Sequence, residues 1–153
     1  MGGIDVGSPG AAGNVERVRL ADTAGYTSGA TGRVVSELTA DGGLVFSYVG
    51  GAANGTLYQG PSIPVEVGGR YVLSYSYAGV VAATFAGLRF SLRNGDNVSS
   101  IVANSGPAVT GSGSGLVNYT PSTVGKLCVI VYSEGGPGDI SGKLTELTLQ
   151  QVY

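Results

Sequence analysis

Apolar and polar residues alternate along most of this chain with a period of two, the spacing of half-buried strands. Val18 and Leu20 alternate with Arg17 and Arg19. Residues 33–39 and 44–49 flank Asp41-Gly42-Gly43, which predicts a hairpin. In 70–78, Tyr71, Leu73, Tyr75 and Tyr77 share one face, while Val72, Ser74, Ser76 and Ala78 share the other. Leu88, Phe90 and Leu92 alternate with Arg89, Ser91 and Arg93, and Asn94-Gly95 predicts a type I′ turn into 97–103. Residues 127–132 are apolar on both faces and predict a central buried strand. A last strand is expected from about Lys143 to Val152, with Leu147 and Leu149 facing inward. Only 79–87 could host a short helix, bounded by Gly79 and Gly87. The run Gly-Ser-Gly-Ser-Gly at 111–115 reads as a flexible loop tip.

Roughly eight to ten short strands with frequent turn signals predict an all-β fold, an antiparallel β-sandwich of jelly-roll topology. The sandwich is assigned to 15–153. Residues 1–14 are rich in Gly, Ala and Ser and read as an extended arm. Ordering a glycine-rich arm costs much entropy, so a neighbouring subunit is expected to hold it, with Ile4 and Val6 as apolar contacts.

Composition narrows the chemistry. The 153 residues include 28 glycines, and charged residues make up 12%. Eight Lys and Arg face ten Asp and Glu, a net charge of −2, which argues against electrostatic binding of nucleic acid. There is no histidine, so Ser-His and Cys-His nucleophilic pairs are excluded within one chain. The lone Cys128 sits in the most apolar strand and is expected to be a packed, inert thiol. The carboxylates are scattered. Asp96 meeting Glu134 or Asp139 is the one pairing left open for acid–base work, and turn chemistry is the simpler role for each. The 111–115 run lacks the strand-to-helix setting of a dinucleotide site, so no cofactor is expected. No apolar run is long enough for a membrane helix, and the start has neither a basic region nor an apolar stretch of an export signal. Production in a cytoplasm is therefore expected. Sequons at Asn54, Asn97 and Asn118 are then chance.

Residues 57–78 carry a strand with Gln59, alternating Ile63 and Val65, a turn at Gly69, then Tyr71, Leu73 and Ser74. Residues 119–152 carry Thr120-Pro121, the buried strand, a Gly/Asp loop at 135–139 and a final strand. These stretches, about a third of the chain, resemble jelly-roll carbohydrate-binding modules that bind glucan and xylan chains. The resemblance implies the sandwich fold and sugar binding. It also implies a structural calcium, for which Asn94, Asp96, Asn97, Glu134 and Asp139 offer oxygen ligands, but the acids are sparser than in a dedicated calcium loop and no metal is expected. Such modules stack sugars on tryptophan, and this chain has none. Tyr26, Tyr48, Tyr58, Tyr75, Tyr77, Tyr119 and Tyr132 are the available substitutes. The row Tyr71, Tyr75 and Tyr77 suits a core, a subunit interface or a ligand platform. The pairs Arg17 with Arg19 and Arg89 with Arg93 each lie on one strand face, where they are solvated or bind acidic groups of a partner.

Three functions compete. Low charge, a glycine-rich arm and no catalytic constellation favour a virion structural protein, most of all a phage capsid decoration (cement) protein, with a tail or fibre component as a variant. It would meet the major capsid protein or other virion subunits, form a homotrimer, and bind neither nucleic acid nor membrane. Its contacts would come from Ile4, Val6, Arg17, Arg19, Tyr71, Tyr75 and Tyr77. The alternative is a non-catalytic carbohydrate-binding module. The third, an enzyme, is not expected.

Overall fold

The computed structural model describes residues 14–19, 33–51 and 54–153. Eleven strands lie among them: β1 (Asn14–Arg19), β2 (Arg33–Leu38), β3 (Leu44–Gly51), β4 (Thr56–Gln59), β5 (Ile63–Val65), β6 (Arg70–Ala82), β7 (Phe85–Asn94), β8 (Asn97–Asn104), β9 (Gly111–Tyr119), β10 (Gly125–Gly135) and β11 (Gly138–Val152). They form two antiparallel sheets. The larger has six strands in the order β9-β6-β11-β3-β2, with β1 also pairing β11. The smaller has five in the order β4-β10-β7-β8, with β5 continuing along the β4 edge of β10. From β5 to β11 the chain passes back and forth between the sheets, leaving only β7 and β8 as a same-sheet hairpin. This is the β-sandwich with jelly-roll winding that the alternation predicts.

The core is built by parity. Leu88, Phe90 and Leu92 of β7 and Leu127, Val129 and Val131 of β10 point inward and are fully buried. Tyr71, Leu73, Leu147 and Leu149 meet them from the larger sheet. Phe90 forms the main cross-sheet contact. Its ring stacks on Tyr75 with centroids 3.9 Å apart, and Tyr77 lies 6.0 Å away. A stacked aromatic pair adds about 0.5–1.5 kcal/mol to the burial of its area.

Three local expectations change. The 111–115 run is part of strand β9, not a loop tip. Gly113 and Gly115 stand opposite Tyr77 and Tyr75 in the register. A Cβ at Gly113 would come within 2.6 Å of the Tyr77 hydroxyl, and one at Gly115 would collide with the Tyr75 hydroxyl. The two tyrosines therefore lean over glycines, and the serines between them face outward. Second, the short helix considered for 79–87 does not form: β6 runs to Ala82 and β7 starts at Phe85. The β-branched Val80 and Val81 pair with Gly111 and Ser141 instead. Gly87 serves a close approach, with φ at +139° and a hypothetical Cβ within 2.9 Å of the Val109 backbone nitrogen. Third, the turn after Asn94 is not type I′, because neither Gly95 nor Asp96 has positive φ. The Asn94 Oδ1 accepts from the Asp96 N–H at 2.9 Å, and the Gly95 N–H donates to the Lys126 carbonyl at 2.9 Å. Local side-chain and cross-strand bonds set this turn.

The other segments form largely as expected, though the last strand starts at Gly138, five residues before Lys143, and takes up part of the expected loop at 135–139. Leu38 pairs with Leu44 around the Asp41 turn. Residues 127–132 lie at the centre of the smaller sheet and are buried on both faces. Of the expected arm, residues 1–13 lie outside the described residues, and Asn14 opens β1.

Phe90→Ala should cost about 3–5 kcal/mol, because it empties the middle of the aromatic stack. Urea unfolding measures this. A loss below about 1 kcal/mol would contradict the role given to Phe90.

Candidate functional site

Inward Leu88, Phe90 and Leu92 force Arg89, Ser91 and Arg93 to the opposite face of β7. The same parity on β10 sends Cys128, Ile130 and Tyr132 outward, where they form a second apolar cluster with Val98. Register then brings distant residues alongside. Gln59, Ile130, Ser91 and Asn104 stand opposite one another across β4, β10, β7 and β8. One step along, Tyr132 pairs with Arg89, and one step back Cys128 pairs with Arg93. Neighbouring strands are about 4.8 Å apart and same-face steps about 6.8 Å, so these side chains share one patch.

The patch is a connected polar layer over an apolar floor. Arg93 lies over Tyr132, with Cζ 4.9 Å from the centroid of the ring. Its Nε donates to Ser91 Oγ at 2.8 Å and its Nη1 to the Val98 carbonyl at 2.9 Å. Ser91 Oγ donates in turn to the Ile130 carbonyl at 2.7 Å. Burial pushes the Arg93 pKa below the usual guanidinium value, though Arg stays cationic at neutral pH. On the other side of the tyrosine, Asn104 Nδ2 donates to the Tyr132 hydroxyl at 3.0 Å. Arg89 Nε and Nη2 donate to the Gly106 carbonyl at 3.2 and 3.1 Å.

Asn104 Oδ1 is buried with no hydrogen-bond partner among the described residues. Arg89 Nη1 lies 2.8 Å from Glu134 Oε1, so charge is balanced there. An unpaired buried acceptor typically costs about 1–3 kcal/mol.

Arg89, Arg93 and Tyr132 were visible in the sequence as facing or aromatic residues. Asn104 was not, because nothing local marks it; only the β7–β8 register places it beside Tyr132. Of the expected contact residues, Tyr71 is 0% and Tyr75 8% exposed, with rings between the sheets, and Tyr77 packs on the same core. Tyr48 and Tyr58 are also buried. Arg17 is half-buried on β1, and exposed Arg19 pairs with Glu16 at 3.2 Å. Ile4, Val6 and Tyr26 lie outside the described residues.

The pairing of Asp96 with Glu134 does not form. Glu134 stands opposite Gly87, and the Asp96 turn follows Asn94, about 23 Å away along the strand. Asp139 Oδ1 is at the Glu134 end, accepting from the Gly50 N–H at 2.7 Å. The calcium ligands implied by the family resemblance are likewise dispersed. Asn94 and Asn97 bond their own turn at 2.9 and 3.3 Å, and Asp96 lies 3.9 Å from Lys126. Among the described residues no three acidic or thiol groups gather. These residues do not fit a shared cation.

An open cleft of about 490 Å³ lies at one end of the sandwich, between Glu66–Arg70 and Gln151–Tyr153. Its buried Gln151 amide already donates to Glu66 Oε1.

No family model matches the chain, and no curated protein does. Solved structures do. The chain is similar to the Clostridium thermocellum N-terminal endo-1,4-beta-D-xylanase 10B CBM22-1–GH10 modules, solved with xylohexaose (12% identity, TM-score 0.52). The match covers 89% of this chain and 28% of that one, so this chain spans well under a third of it. It is also similar to the xylan-binding module CBM15 (14% identity, 92% and 97% covered, TM-score 0.50). The likeness shows the fold. It agrees with the resemblance read from 57–78 and 119–152.

The geometry also fixes the thiol. Cys128 is fully buried, its Sγ donates to the Gly60 carbonyl at 3.2 Å, and desolvation raises its pKa. Native protein should react with a thiol reagent at least about 100-fold more slowly than protein in denaturant. Similar rates would show that this face opens readily.

Proposed function

We propose that the chain is a non-catalytic carbohydrate-binding domain whose ligand lies on the outer face of the smaller sheet. The observation that carries this is the ordered layer of planar polar groups on that face, with Arg93 over the Tyr132 ring and Asn104 bonded to the Tyr132 hydroxyl. Sugars present dense arrays of hydroxyls that donate and accept together. Amide, guanidinium and carboxylate groups match such arrays, and here Gln59, Arg89, Arg93, Asn104 and Glu134 supply all three. The fold likeness to xylan-binding structures supports the reading. The missing tryptophan is consistent with a polar rather than a stacking mode, since Arg93 already covers the Tyr132 ring.

A virion structural role is the second reading, and one observation favours it. The outer face of the larger sheet exposes Leu116 (61%), Val81 (67%), Val45 (44%) and Val49 (47%). Its β9 edge has no charged residue. In that reading the sheet would meet other virion subunits, with a trimer as the assembly.

A glycan array followed by calorimetry tests the first reading. Wild-type protein should bind a polysaccharide, and Asn104→Ala should weaken it by about 1–2 kcal/mol, roughly 5–30-fold, with thermal stability retained. No binding across the array would overturn the proposal. Concentration-dependent trimerisation lost on Leu116→Lys would favour the second reading.

A further inference from the structure

The ionic state of this face narrows the class of sugar. Arg93 is half-buried, yet no carboxylate lies within 4 Å of it among the described residues. Arg89, by contrast, has Glu134 at 2.8 Å. The patch holds two guanidinium groups and one carboxylate, and so is locally positive on a chain of net charge −2. A guanidinium has five N–H donors. Two of those on Arg93 are used, one by Ser91 and one by Val98, and Nη2 makes no hydrogen bond among the described residues. The end of the fork is therefore open, while the Nε side and the ring beneath hold it rigid.

This arrangement discriminates between neutral and acidic ligands. A neutral sugar laid over Arg93 would remove its remaining water and offer no counter-charge. Burying a charge without a partner is costly. A ligand carboxylate would meet the open Nη1–Nη2 end in the planar, two-bond geometry that guanidinium favours.

We infer that this face selects carboxylated sugars: the ligand is a polysaccharide containing uronosyl residues, its carboxylate on Arg93. This rests on the carbohydrate-binding reading above and sharpens it.

The test compares an oligogalacturonate with its methyl ester, and a glucuronosyl-substituted xylo-oligosaccharide with plain xylohexaose, by calorimetry. In each pair the acid should bind roughly tenfold tighter or more, the scale of a charge-assisted hydrogen-bonded pair. Arg93→Gln should bring that ratio close to one, and Arg93→Lys should restore only part of it. Should Arg93→Gln not fold, wild-type protein still decides the matter: affinity for the acid should fall as NaCl rises from 50 to 500 mM, while that for the ester holds. Equal affinity for acid and neutral partners would overturn the inference and leave the carbohydrate reading intact. Equal binding of a sulfated, carboxylate-free glycan would overturn the choice of carboxylate. No binding of any of these sugars would overturn both.

Discussion

The packing of Phe90 between the sheets is the constraint on which the rest depends. Its ring lies against Tyr75 at 3.9 Å and ties β7 of one sheet to β6 of the other. Once Phe90 is inward, Leu88 and Leu92 must follow, and Arg89, Ser91 and Arg93 must face out. The same stack places Tyr75 and Tyr77 over β9, where side chains at 113 and 115 would collide with their hydroxyls. One cross-sheet contact therefore explains an inward aromatic row, a glycine-rich edge strand and an outward basic row.

The outer faces of the two sheets differ in kind. The larger sheet presents exposed apolar side chains, among them Leu116 and Val81, beside the scattered charges of Glu37, Lys143 and Glu146. The smaller sheet presents a hydrogen-bonded layer of guanidinium, amide, hydroxyl and carboxylate over buried Cys128, Ile130 and Tyr132. Fixing Arg93 in advance lowers the entropy lost when a ligand arrives, because its side chain is already ordered by Ser91, Val98 and the tyrosine ring.

Much of the fold was legible because period two is a strong signal where one face is a core. The strands at 44–49, 70–78, 88–93, 127–132 and 143–152 all appear. The errors arose where a residue's role depends on a distant partner. Gly113 and Gly115 look like linker until Tyr77 and Tyr75 stand opposite them. Gly95 looks like a type I′ turn until the Lys126 carbonyl takes its N–H. The site followed the same rule. Arg89 and Arg93 could be assigned to one face from spacing, but Asn104 is eleven residues beyond Arg93 and Gln59 thirty-four before it. Only register across four strands gathers them.

The central claim is that the outer face of the smaller sheet receives the ligand. Chemical-shift mapping by NMR during titration with a uronosyl oligosaccharide tests it most directly. The largest shifts should fall on Gln59, Arg89, Arg93, Asn104 and Tyr132, including the Asn104 side-chain amide. Largest shifts around Ser76 and Leu116 on the larger sheet, or in the cleft at Glu66–Arg70, would contradict the account.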